Sequence, residues 1–365
     1  MIIGIDTSAV GVKSTGTSKY ISCLLNELHK TDNTIKTFSP KQSGYLTNSK
    51  LLNLLPIIKR GGIQRNLYRK YFLSSEMEKE KVDFGIFPNY LMPNYFNKPS
   101  VIIIHDLSFA SHPQFYSKAF VLFYNNQLKK TLLKNPLIVT ISEYSKKCIN
   151  KYLGVAENEI YLLQAYSNSV MKNDHQLINK DGSKCRYFLY VGHIEPRKNL
   201  SFLIKNFIEW KKENRLDFKL KLAGEVWTSS KEIQNLFLNY ADHPDVEFLG
   251  YVSEDELHRL YSGASAFVHA SFVEGFGFPV LEAMHYELPV LCSTGSGTEE
   301  ISNTYSVFFN PQNSNDLKKG FDNLMQKIDK QIIGYKIKYS PELMQHQLNE
   351  LLIIIERKIK ESRFV

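Results

Sequence analysis

Three short stretches carry residue types whose spacing suits work on an anionic, hydroxyl-rich ligand. The first is EGFGFPVLE, Glu274 to Glu282, where two carboxylates bracket two glycines, two phenylalanines and a proline with seven residues between the acids. A connecting loop needs neither large aromatics nor an acid at each end, and burying an unpaired carboxylate is costly. Proline is favourable at the first helical position, because its missing N–H would be unpaired there. The pattern therefore predicts a helix opening at Pro279, whose first-turn amides carry about half a positive charge and seat an anion. Gly275 and Gly277 lack a Cβ and let the backbone approach a ligand. Glu274 is expected in the loop and Glu282 in the first helical turn, where a carboxylate can accept two hydrogen bonds from a vicinal diol. For Glu282 alone, a helix-capping acid is the plainer alternative.

The second stretch is GHIEPRKN, Gly192 to Asn199, between a strand and a helix. Arg197 and Lys198 are adjacent cations at a predicted helix start, where the dipole disfavours them unless an anion compensates. A pyrophosphate would do so, with the arginine as a fork and the lysine as a point charge. A solvated surface pair is the bland reading. The third is VIIIHD, which puts His105 and Asp106 at the end of a strand. A lone strand-end histidine is often structural. GVKSTGTSKY, Gly11 to Tyr20, is a polar glycine loop running into a helix; it does not match the dinucleotide fingerprint G-x-G-x-x-G.

The elements that must position these residues alternate. In the first half, strand candidates IIGID, TIKTF, FGIF, VIIIHD, LIVTIS and IYLLQAY are separated by helical patterns near 17–30, 65–80, 114–134 and 142–153. Polar, turn-rich sequence near 167–184 reads as a linker. The rhythm then restarts with RYFLYVG, FKLKLAG, VEFLGY, AFVHAS and PVLCST, with helices from Asn199, about 229, Ser253 and Pro279. Near-continuous apolar strands alternating with helices predict parallel sheets covered on both faces, hence two doubly wound domains. Ligands of such sheets bind beyond the carboxyl ends of the strands, which is where all three stretches fall. The expected division is 1–168, a linker at 169–184, 185–340, and an amphipathic helix at 341–365 that packs back on the first domain.

At 365 residues the chain is long enough for two cores. Lys and Arg exceed Asp and Glu by 8, a balance that suits anionic small molecules, anionic lipid or nucleic acid alike. Only that charge speaks for nucleic acid. The four cysteines show no CxxC pair and no zinc spacing, as in inert thiols of a reducing compartment. MIIGID is strand-like and unlike a signal peptide, and no apolar run approaches the roughly eighteen residues of a membrane helix. A cytoplasmic protein is expected.

EGFGFPVLE resembles the E-x7-E signature of the retaining glycosyltransferases of family 4, which have the GT-B fold: two facing Rossmann-like domains with a cleft between them. GHIEPRKNL, LAGE, FLGYVS, HASFVEGFGFP and GTEEI fall in that family's order, closely over about 186–312 and more loosely before it. The resemblance implies a nucleotide-sugar donor on the carboxy-terminal domain. Glu274 would contact the sugar hydroxyls; the backbone of Gly275, Phe276, Gly277 and Phe278 would line the sugar and phosphates. Glu282 would hold the ribose diol, Arg197 and Lys198 the diphosphate, and Val252 part of the base pocket. Glu300, in the loop after PVLCST, matches the acid of the family's G-x-x-E turn. His105 would bond the transferred sugar, with Asp106 beside it, and Gly16 would belong to the interface loop. Three departures stand out: His193 replaces a common arginine, AYSNSV replaces a glycine-bearing turn, and the Asp-x-Asp of metal-dependent enzymes is absent. The last agrees with side-chain cations in place of a metal, and no cofactor is expected.

The reaction implied is glycosyl transfer from a nucleoside diphosphate sugar, GDP-mannose as first choice, to a saccharide or lipid-linked saccharide in cell-surface polysaccharide assembly. A non-catalytic GT-B binding protein and a sugar-nucleotide epimerase are the alternatives. The segment IIKRGGIQRNLYRKYF, residues 57–72, interleaves cations with apolar residues and suits peripheral contact with an anionic membrane. An ordinary solvated helix face fits it equally well.

Overall fold

The computed structural model describes residues 1–10, 15–40, 61–167, 186–227, 230–302, 306–329 and 338–362, with the backbone alone for 61–64, 329 and 362. The chain divides into two compact units, one formed by Met1–Tyr166 with Tyr339–Val365 and the other by Ser167–Lys338. The proposed linker, 169–184, and the glycine loop at 11–14 lie outside the described residues.

Unit 1 holds a six-stranded parallel sheet of β1 (Ile2–Asp6), β2 (Thr34–Phe38), β3 (Phe84–Phe87), β4 (Ser100–Ile104), β5 (Leu137–Thr140) and β6 (Ile160–Leu162), in the order β2-β1-β3-β4-β5-β6. Its helices are α1 (Gly16–Leu28), α2 (Gly61–Tyr71), α3 (Leu73–Lys79), α4 (Ser108–Ser111), α5 (Lys118–Leu132) and α6 (Glu143–Leu153). β3, β4 and β5 are buried along their whole length, as a two-sided parallel sheet requires. A capping box between Thr15 and Ser18 starts α1 immediately after the glycine loop. The single helix predicted at 65–80 is two, broken at Phe72.

Unit 2 holds β7 (Tyr187–Val191), β8 (Lys219–Ala223), β9 (Val246–Gly250), β10 (Ala266–His269), β11 (Val290–Ser293) and β12 (Val307–Phe309), all parallel, in the order β12-β11-β10-β7-β8-β9. Its helices are α7 (Leu200–Asn214), α8 (Lys231–Tyr240), α9 (Glu254–Gly263), α10 (Phe278–His285), α11 (Gly297–Ser302) and α12 (Ser314–Asp329). The sheet runs outward in both directions from the β7/β10 pair, the order reversal where doubly wound sheets bind ligands. Phe188, Phe207, Trp210 and Phe321 pack the core on one face of this sheet, and the Trp210 indole donates to Asp322 Oδ1 at 2.7 Å. β12 and α12 lie beyond the elements read from the sequence, although Leu317, Phe321 and Leu324 bury at helical spacing.

α13 (Pro341–Ser362) belongs to unit 1, where it packs on α1. It buries Met344, Leu348, Leu351, Leu352, Ile355 and Ile359. Gln347 accepts from the Gln164 amide at 2.8 Å, tying the helix to the end of β6.

Candidate active site

At the β7/β10 reversal the loops after the two strands meet. Beyond β7, a 3-10 turn at Pro196–Lys198 and a left-handed Asn199 (φ 58°) precede α7. Beyond β10, residues 270–277 run to the start of α10. The Phe272 amide donates to the Arg197 carbonyl at 2.9 Å, and the Arg197 guanidinium donates through Nη1 to the Val273 carbonyl at 3.0 Å. These two bonds bring the loops together. Arg197 Nη1 lies 3.1 Å from Glu274 Oε2 and Nη2 lies 2.8 Å from Glu195 Oε1, while Lys198 donates to Glu274 Oε1. Ser271 Oγ donates to the same Oε1 at 2.9 Å, and His269 Nε2 approaches it at 3.3 Å.

Two cations and two carboxylates thus form one nearly closed cluster; the Glu274 side chain is 12% exposed and that of Lys198 8%. Burial alone would raise the Glu274 carboxyl, but Arg197 and then Lys198 outweigh it and hold the group well below the ordinary carboxylate range. Burial pushes the Lys198 ammonium down, and neighbouring Arg197 adds to that. His269 is pushed down by burial and stays neutral, its ring flanked by Tyr190 at 6.1 Å and Phe267 at 6.2 Å. Its Nδ1 is buried without a hydrogen-bond partner. His193, where a cation was the familiar alternative, stacks on Trp227 at 4.4 Å and is likewise lowered by burial. Arg197 and Lys198 therefore carry the positive charge of this corner.

The glycines of the second loop serve close approach. Gly277 caps α10 at φ +114°, and a Cβ there would sit 2.6 Å from Thr298 Cγ2; at Gly297 a Cβ would fall 2.3 Å from the Gly275 carbonyl oxygen. The Gly297 amide donates to the Glu274 carbonyl at 2.8 Å, so α11 backs the loop. No side chain caps α10. Phe276 and Phe278 are buried and shape the loop from beneath through an edge contact at 5.2 Å.

Several expectations need correction. α10 opens at Phe278, with Pro279 in second position, so Glu282 lies in the second turn. Its carboxylate is fully buried and accepts from Tyr261 OH at 2.9 Å. Arg197 and Lys198 stand in the 3-10 turn before α7, not at a helix start, and both pair with Glu274. Glu300 sits inside α11 and not in a loop. Val252 is half-buried just before Ser253, the cap of α9. The sequence reading passed over Glu195, Ser271 and His269. His269 ends β10, so the strand-end rule that singled out His105 would have found it.

His105, Asp106 and Gly16 belong to unit 1. His105 is buried after β4, its Nε2 2.7 Å from the Pro88 carbonyl and its ring edge-on to Tyr20 at 5.0 Å; burial lowers its pKa. That bond requires the proton on Nε2. Asp106 accepts from the Ser108 amide at 2.9 Å and hydroxyl at 2.7 Å, turning the chain into α4. Gly16 is the exposed first residue of α1. Within 57–72, residues 57–60 lie outside the described residues, and Arg69 points inward to a buried pair with Asp6 at 2.8 Å, so this helix is not uniformly solvated on its basic side. No described helix is long and apolar enough to cross a membrane, and no group of metal-ligating side chains occurs among the described residues.

Residues 172–336 match the family described as "Glycosyl transferases group 1". That stretch contains every member of the cluster. Among curated relatives, the chain is 28% identical to O-antigen chain mannosyltransferase B of Escherichia coli over 226 residues, 59% of this chain and 58% of that protein. It is 30% identical to O-antigen chain mannosyltransferase RfbU of Salmonella typhimurium over 230 residues, 62% and 61% of the two. The match thus spans about three fifths of these relatives' length. Among solved structures, sucrose-phosphate synthase from Thermosynechococcus elongatus superposes with a TM-score of 0.66 at 16% identity, covering 99% of this chain and 98% of its own. Anabaena HepE, solved with UDP and glucose, gives 0.61 at 14% over 96% and 99%. These likenesses show the fold, which is GT-B.

Proposed function

We propose that this chain is a retaining, metal-independent glycosyltransferase that moves a hexose, mannose from GDP-mannose in the first instance, to a saccharide or lipid-linked saccharide of a cell-surface polysaccharide. The observation that carries the reading is the cluster of Arg197, Lys198 and Glu274 at the order reversal of the second sheet. The named mannosyltransferase relatives support the choice of sugar, and the HepE complex supports a nucleotide-sugar donor.

In the proposed reaction the donor diphosphate takes over Arg197 and Lys198 from Glu274, and the freed carboxylate turns to the sugar hydroxyls. As the anomeric C–O bond breaks, its electron pair goes to the diphosphate. The two cations and the uncapped first turn of α10 are already oriented for that charge, so little reorganisation is needed. The acceptor oxygen bonds the anomeric carbon on the same face, and its proton passes to the departing phosphate oxygen. No carboxylate is nominated beneath the sugar, which is why front-face attack is preferred to double displacement. Arg197 and Lys198 supply the charge that a divalent ion supplies elsewhere. Cytoplasmic action at the inner face of a membrane completes the reading.

The test is nucleotide release and product formation with a panel of GDP-, UDP- and dTDP-sugars, with and without chelator, for the native chain, Lys198→Ala and Glu274→Ala. The reading requires turnover that both variants lose and chelator leaves unchanged. The anomeric configuration of the product, read by NMR, tests retention. Binding of a nucleotide sugar without turnover would instead favour a non-catalytic protein.

A further inference from the structure

His269 closes β10 and is 1% exposed, its ring lying nearly parallel to Tyr190 at 14° and to Phe267 at 16°. Its two nitrogens are placed very differently. Nδ1 is buried with no hydrogen-bond partner among the described residues, whereas Nε2 lies 3.0 Å from Ser271 Oγ and 3.3 Å from Glu274 Oε1. The Ser271 hydroxyl has one proton and gives it to Glu274 Oε1 at 2.9 Å, so towards His269 it can only accept. The imidazole proton is therefore on Nε2, where the two oxygens share it. Ser293, at the end of β11, donates to the Ser271 carbonyl and fixes that residue's backbone. An orphaned buried acceptor destabilises a fold, and a phenylalanine would fill the same aromatic slot without one. Packing alone thus does not account for a histidine here.

We propose that His269 is a positioning residue for Glu274: its Nε2–H, directly and through Ser271, keeps Oε1 in place when an anionic ligand draws Arg197 and Lys198 away. Among the described residues, the donors to this carboxylate are of two kinds. Arg197 on Oε2 at 3.1 Å and Lys198 on Oε1 are charged, and a diphosphate competes for both. His269 and Ser271 are neutral and stand at the end of β10. Bonds from a neutral donor are about half as strong as charge-assisted ones, so a diphosphate takes the cations and leaves the neutral pair on Glu274. With Oε1 still held, Oε2 is the oxygen released, and it turns to a ligand hydroxyl. Without that hold, a carboxylate losing both cations would swing about its terminal torsion, whose preferences are broad. That the ligand is a nucleotide sugar rests on the proposed function; the hydrogen bonds that hold Glu274 do not.

Variants of the full chain separate positioning from packing. His269→Phe keeps a ring and removes the orphaned acceptor, so its urea midpoint should equal or exceed the native one. Its kcat should nonetheless fall by about 10²-fold, as for a misplaced group, with donor KM within about threefold because Arg197 and Lys198 remain. His269→Gln puts an amide N–H at the Nε2 position but loses the ring packing. It should be the less stable of the two and yet at least about tenfold the faster. His269→Asn, whose amide reaches only as far as Nδ1, should be both unstable and slow. Turnover that follows stability across these variants would overturn the inference and make His269 a packing residue. Histidine nitrogen NMR of the native chain, assigned by the signal that His269→Phe loses, should show Nε2 protonated and Nδ1 bare; the opposite tautomer would also overturn it. If the native chain turns over no donor, the enzyme reading fails by itself. A double-mutant cycle of His269→Phe with Glu274→Gln in urea then decides the positioning: coupled effects uphold it and additive ones refute it.

Discussion

At the scale of residues, the cluster at Glu274 is an ion-pair network whose members were taken out of water together. Removing one partner strands the others, so Glu274→Gln and Lys198→Ala should each cost about 3–5 kcal/mol of stability. They should also lower turnover by about 10²–10³-fold, the loss typical when one charge-stabilising group is removed. Urea denaturation and initial rates on the same preparations separate the two effects. Acid should act on the molecule in two stages. His105 and His269 have folded pKa values below the ordinary 6.5 because both are buried. Below that value the unfolded chain binds more protons, so stability is held above about pH 6.5 and falls as pH drops toward the folded values. Glu274 acts lower: its folded value lies well below 4.5, and the stability it contributes above 4.5 is lost as pH falls through the folded value. A urea midpoint unchanged from about pH 7.5 to about pH 5 would contradict the buried neutral imidazoles.

At the scale of elements, the loop between β10 and α10 tolerates no side chain at its cap. Gly277→Ala combines a left-handed φ with a Cβ 2.6 Å from Thr298 Cγ2, and should destabilise by more than about 1 kcal/mol. Adding Thr298→Ser removes that methyl and should recover part of the loss, though not the strain in φ. Full recovery in the double variant would show the dihedral to be harmless. Tyr261→Phe deprives the buried Glu282 carboxylate of a 2.9 Å bond and should cost about 1.5–3 kcal/mol in urea denaturation. All strands except β12, and most helices, are legible in the sequence, because β-branched runs and helical periodicity are local signals. The break at Phe72 was not, since apolar spacing continues through it. Nor was the burial of Glu282: seven residues of spacing fix how far the acids are apart in the chain, but not that α9 offers a tyrosine to the second. The pairing of Arg197 and Lys198 with Glu274 depends on hydrogen bonds such as that from the Arg197 guanidinium to the Val273 carbonyl, 76 positions away, a separation invisible to any window. The loop residues themselves were legible because glycine, proline and charge at a strand end have few other uses.

At the scale of the whole molecule, unit 1 is discontinuous: its last helix, α13, follows all of unit 2 in the chain. Shortening the protein after Lys338 should therefore expose the α1 side of unit 1 and leave the interior of unit 2 intact. Limited proteolysis would show it, as a resistant fragment from unit 2 and rapid loss of the sheet that carries His105; equal resistance of both would mean that α13 is dispensable. The same arrangement bears on synthesis. A ribosome adding roughly 5–20 residues per second finishes the first sheet long before the segment that covers it, so the nascent chain carries an uncovered apolar flank throughout translation of the second half. That interval is when a chaperone is needed, and a circular permutant with Pro341–Ser362 moved ahead of Met1 should need it less.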